Sequence, residues 1–123
     1  EGARMTNALV SEGSIIVDAE IERSMIGIRS RIGAVCVIRN SLILGADYYE
    51  KTVPDPASGR PAIGIGDNSV IENAIIDKNA RVGANVRLVN EAKVDHADGP
   101  CWYIRDSIVI VPKDTVVPNG TVV

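Results

Sequence analysis

Lys78 and Lys113 are the residues whose type and spacing could do chemistry. Lys78 lies in AIIDKNARVGANV (Ala74 to Val86), two residues after Ile76, and Lys113 lies two residues after Val111. If the fold brought both ammonium groups to one place they would repel, raising the cost of keeping both charged. A phosphate or carboxylate between them would turn that repulsion into a binding site. Asp77 and Asp114 are the expected counter-charges, and two solvated surface lysines are the bland alternative. Arg29 and Arg31 in IGIRSRIG, and Arg81 in DKNARVG, are candidates for accessory basic contacts. Arg29 and Arg31 read first as a solvated face, with salt bridges to a neighbouring domain as the other reading. His96 in VDHADG is the one histidine, a loop residue able to act as a general base or to do nothing chemical.

Other chemistries find little support. Cys36 and Cys101 are far apart, lack metal-ligand spacing and read as reduced intracellular thiols. No cofactor or metal is expected for this segment. IGIGDN (Ile63 to Asn68) opens another apolar repeat, not a helix, so it is a weak dinucleotide signal. The net charge is −3, against a general nucleic-acid or membrane-surface binder. No stretch approaches a membrane-spanning helix. EGARMTNALV has no apolar signal-peptide core and does not open with Met, so the chain reads as a fragment or processed form.

The elements that would position the lysines follow from a period of six. One frame runs Ile26, Ile32, Ile38, Leu44; a second runs Ile65, Ile71 and, after a one-residue slip, Ile76, Val82, Leu88. Val111, Val117 and Val123 continue it, and Val10 and Ile16 fit near the start. Gly27, Gly33, Gly45, Gly66 and Gly83 each follow an aliphatic, where glycine lets the backbone turn. A helix would space apolar residues by three and four, and hairpin strands by two. Six means a short strand, a corner and the next strand. Three faces close a coil of roughly 18 residues. With 46% hydrophobic residues, no Phe and 3% aromatics, thin aliphatic layers fit better than a bulky core. The expectation is a single all-β domain over residues 1–123, a parallel β-helix of hexapeptide repeats with four to six coils and two extruded loops.

The period breaks at residues 47–62 (DYYEKTVPDPASGRPA) and 90–106 (NEAKVDHADGPCWYIRD). They hold Tyr48, Tyr49, Trp102 and Tyr103, the chain's four aromatic residues, which read either as docking surface or as cover for the helix flank. Lys78 and Lys113 are 35 residues apart, and removing the 17 residues 90–106 leaves 18, one coil. The two lysines should therefore share a face on adjacent coils.

The stretches SMIGIRSRIG, SLILGADYYE, IGIGDNSVIENAIIDKNARVGANV and WYIRDSIVIVPKDTVVPNGTVV resemble the C-terminal domain of ADP-glucose pyrophosphorylase (glucose-1-phosphate adenylyltransferase) of the plant and cyanobacterial type, from about Met5 to Val123. GADYYE and IIDKNARVG are specific to it, whereas PDPASGRP and DHADGPCW depart from its usual pattern. GIRSRIG and WYIR are closer to its large, regulatory subunit type. The resemblance implies a left-handed coil. It implies a parent enzyme that makes ADP-glucose and pyrophosphate from ATP and glucose 1-phosphate with Mg2+, for starch or glycogen synthesis. Catalysis would reside in an N-terminal nucleotidyltransferase domain outside this sequence. This domain would serve regulation and assembly into homo- or heterotetramers, with no turnover of its own. Lys78 and Lys113 match lysines that bind the activator 3-phosphoglycerate, where phosphate inhibits. The location would be the plastid stroma in a plant or alga, or the cytoplasm in a bacterium. The alternative from a different class is a hexapeptide-repeat acyltransferase using His96 as base.

Overall fold

The computed structural model describes residues 3–52 and 54–123. Glu1 and Gly2 of the expected domain, and Val53 of the first excursion, lie outside the described residues. The chain winds through short strands: β1 (Arg4–Thr6), β2 (Leu9–Val10), β3 (Ile15–Glu22), β4 (Met25–Ile26), β5 (Arg31–Arg39) and β6 (Leu42–Ile43). After a 3-10 turn at Pro56–Ser58 come β7 (Gly64–Ile65), β8 (Val70–Glu72), β9 (Ala74–Ile76), β10 (Arg81–Val82) and β11 (Arg87–Leu88). The last four are β12 (His96–Asp98), β13 (Tyr103–Arg105), β14 (Ile108–Val111) and β15 (Val116–Val117).

Parallel pairing stacks these strands into three faces. On the first, Met5, Ile21, Ile38, Ile71 and Leu88 fall in register. The second aligns Val10, Ile26, Ile43, Ile76 and Val111. The third aligns Ile16, Ile32, Ile65, Val82 and Val117. From the second coil on, these inward residues are buried, and they form one continuous aliphatic cluster. Burying each contributes about 1.5–3 kcal/mol. The all-β, parallel coil expected from the hexads is therefore the architecture observed, with five turns.

Three details differ from the hexad reading. The inward residue of β6 is Ile43, not Leu44, which is only half-buried. The step from the first face to the second takes five residues, as from Ile38 to Ile43 and from Ile71 to Ile76. Coils consequently advance by 16 or 17 residues, not 18, as Ile16 pairs Ile32 and Ile71 pairs Leu88.

The third concerns the corners. Most turn through non-glycine residues with positive φ, chiefly Asn7, Asn40, Asn68, Asn73, Asn79, Asn85 and Asn90. Asparagine tolerates the left-handed region because its short polar side chain bonds locally. Gly66 and Gly83 have another task. A Cβ on Gly66 would lie 2.5 Å from the Gly83 carbonyl carbon, so the glycine allows one coil to sit on the next. Buried serines complete the corners: Ser41 Oγ accepts from the Ala74 amide and donates to the Arg39 carbonyl.

The second excursion is not a loose loop. β12 and β13 pair antiparallel with each other and β13 with β14, extending the second face as a meander. Asp106 and Ser107, both with positive φ, form the two-residue turn that joins β13 to β14. Trp102 packs against the core, its ring filling the space a Cβ on Gly99 would need. Tyr48, Tyr49 and Tyr103 stay exposed.

Val35 is the misfit. It holds φ 58° at the bend of β5, opposite the bulge between Asp18 and Ala19, with its side chain 61% exposed. A β-branched residue in that region is strained, and Asn68 and Asn85 occupy the same corner one and two coils on. Val35→Asn should therefore raise stability by about 1 kcal/mol, read as a shift of the urea midpoint at unchanged slope.

Candidate anion site at the mouth of the first excursion

One edge of the coil, between the second and third faces, gathers the charged residues. Its successive turns follow Val10, Ile26, Ile43, Ile76 and Val111. Two residues after the inward aliphatic stand Gly45, Lys78 and Lys113 on the last three coils. Backbone bonds lock this stack: the Asn79 amide donates to the Gly45 carbonyl, and the Asp114 amide to the Lys78 carbonyl. Gly45 contributes no side chain, and its φ of 86° sends the backbone outward. The chain leaves the coil here, and Asp47 is the second residue out.

Asp47 joins the two lysines. Lys78 Nζ lies 3.2 Å from Asp47 Oδ1 and Lys113 Nζ lies 3.6 Å from Oδ2. Asn79, buried at the corner, holds the carboxylate from below. Its Nδ2 donates to Asp47 Oδ2 at 3.1 Å, while its Oδ1 accepts from the Asp47 amide at 2.9 Å. The Asn79 hydrogen bond, and then the one from Lys78, hold the Asp47 carboxyl below its ordinary range. All three charged side chains remain about half exposed. The edge thus presents two ammonium groups that grip the two oxygens of one anionic group.

The adjacent-coil placement expected for Lys78 and Lys113 is what the structure has, with Ile76 opposite Val111. The counter-charge is different. Asp77 turns inward along its own backbone, its Oδ1 accepting from the Lys78 amide at 2.7 Å, and Asp114 makes no ion pair among the described residues. Asp47 does that work, and Asn79 and Asp47 were absent from the sequence-based set. The candidate arginines lie elsewhere. Arg29 Nε donates to the Ala46 carbonyl at 3.0 Å, anchoring the peptide before Asp47. Arg31 is exposed on β5 and makes no ion pair among the described residues. Arg81 is no part of the lysine pair: it clamps the far end of the excursion, paired to Glu50 and donating to the Pro61 carbonyl at 3.0 Å. His96 is exposed on β12, 3.9 Å from Asp106.

The stacked three-faced coil with a cation-bearing corner defines a hexapeptide-repeat β-solenoid. A family model described as the GLGC left-handed parallel beta-helix domain matches residues 1–122. The chain belongs to that family, the C-terminal β-helix domain of ADP-glucose pyrophosphorylase, and its coil is left-handed.

Two outcomes follow. The Arg81 and Glu50 side chains are only 13% and 12% exposed. Arg81→Met, which strands that carboxylate, should cost about 3 kcal/mol and open residues 51–60 to limited proteolysis. The Asp47 contacts should be intact at neutral pH. A carboxyl depressed in the folded state adds stability above its unfolded pKa and loses it as pH falls through the folded value. The lysine contacts should therefore persist through the ordinary carboxylate range and dissolve only below it, seen as the Asp47 side-chain carbon titrating below that range by NMR.

Proposed function

We propose that this chain is the regulatory and assembly domain of a glucose-1-phosphate adenylyltransferase, and that Lys78 and Lys113 bind a small phosphorylated effector such as 3-phosphoglycerate or phosphate. The observation that carries this reading is the convergence of both ammonium groups on one carboxylate. A phosphate monoester offers paired oxygens in the same way and carries more charge. The parent enzyme would make ADP-glucose from ATP and glucose 1-phosphate with Mg2+ on a separate N-terminal domain, and this domain would carry no catalytic group of its own.

The assembly half of the proposal has its own support. The outward residues of the second face are Leu9, Met25, Leu42, Ile75 and Ile110, stacked in register as an unbroken apolar stripe. Leu9 is 66% and Met25 52% exposed. Such a continuous stripe suits burial against the catalytic domain or another subunit of a tetramer.

Calorimetry tests the effector site. The isolated chain should bind 3-phosphoglycerate weakly, at about the millimolar level, and Lys78→Ala with Lys113→Ala should abolish the heat. Tight binding that survives the double substitution would contradict the assignment.

A further inference from the structure

We infer that Asp47 is a built-in competitor for the anion site, a tethered carboxylate that the effector must displace. The inference rests on the effector reading above and extends it to how the site is regulated. Each lysine takes one oxygen of Asp47, so the place an incoming phosphate oxygen would fill is already filled. Asp47 is not a passive neighbour. Gly45 turns the chain outward, Arg29 pins the Ala46 carbonyl, and Asn79 holds both the Asp47 amide and its carboxylate. These contacts come from three different coils and aim one carboxylate at two ammonium groups. The ligand class is a small dianion. One carboxylate leaves the lysine pair with a unit of positive charge, and a phosphate dianion neutralises it.

The tether also links the site to the excursion. Asp47 is followed by Tyr48, which is exposed, and by Tyr49, whose hydroxyl donates to the Gly13 carbonyl at 2.9 Å. The Arg81–Glu50 pair then clamps the chain. Displacing Asp47 therefore loosens the short span between the pinned Ala46 carbonyl and the Arg81–Glu50 pair, with Tyr49 tied through its hydroxyl. Occupancy of the anion site would be read out by the two tyrosines.

The test titrates inorganic phosphate into the full chain, its Asp47→Asn variant, the Lys78→Ala/Lys113→Ala variant and the triple variant. Asparagine keeps the shape and the Asn79 contacts while removing the charge. Asp47→Asn should bind phosphate about three- to tenfold tighter, and the gain should vanish in the triple variant. In the unmodified chain at a slightly alkaline pH, where phosphate is a dianion, saturating phosphate should shift the Asp47 carboxyl carbon signal and the Tyr48 and Tyr49 ring signals. That second measurement stands even if the variant folds poorly. Lysine-dependent binding that Asp47→Asn leaves equal or weaker, or an Asp47 carboxyl carbon signal that saturating phosphate dianion does not move, would overturn the competitor role while leaving the effector site intact. Binding with no dependence on the lysines in any form would overturn both.

Discussion

Everything in this molecule depends on the parallel backbone ladder that holds each coil about 4.8 Å above the last. The ladder converts a difference in sequence position into a fixed difference in space. Lys78 and Lys113 are 35 residues apart, yet the bond from the Asp114 amide to the Lys78 carbonyl sets them on neighbouring turns. The same ladder permits no slip. Moving β14 by one residue against β9 would turn Val111 outward and withdraw Lys113 from Asp47. Core packing and the cation pair are thus specified by one register.

That register was legible in the aliphatic spacing because an inward position admits few residue types. Ile32, Ile38 and Ile71 are wholly buried, and a polar residue at any of them would break the column. The corners were harder to read. Glycine after the aliphatic suggested turning, but turning falls mostly to asparagine, and Gly66 and Gly83 answer a clash between coils that no single strand reveals. The coil length was misjudged by one or two residues for the same reason: the corner at Arg23, Asn40 and Asn73 turns in five. The lysine spacing survived because the second excursion is correspondingly longer than it looked, its hairpin turn lying at Asp106 and Ser107.

The site was half legible for a related cause. Lys78 and Lys113 are placed by register, and register follows from periodicity. Asp47 is placed by an exit from the coil, and exits obey no period. Asp77 and Asp114 looked like the partners because they adjoin the lysines in sequence, yet both lie at tight corners, where Asp77 accepts from the Lys78 amide and Asp114 turns at φ 61°. Asp47 reaches both cations because it leaves the coil at the same corner one turn earlier, in line with them rather than beside them in sequence.

The two departures from the coil divide the labour. The second stays in the sheet: β12 and β13 prolong the second face, and Trp102 is sealed against the core. It continues the face that carries the apolar stripe from Leu9 to Ile110. The first leaves the sheet and is tied at its base by polar contacts, through Arg29, Asn79, Lys78 and Arg81. The half-exposed lysine contacts of Asp47 exchange readily with solvent and solutes, whereas a ring packed against the core does not. An anion arriving at the edge therefore has one element it can move, the segment beginning at Asp47, and a rigid prism behind it against which that movement is made.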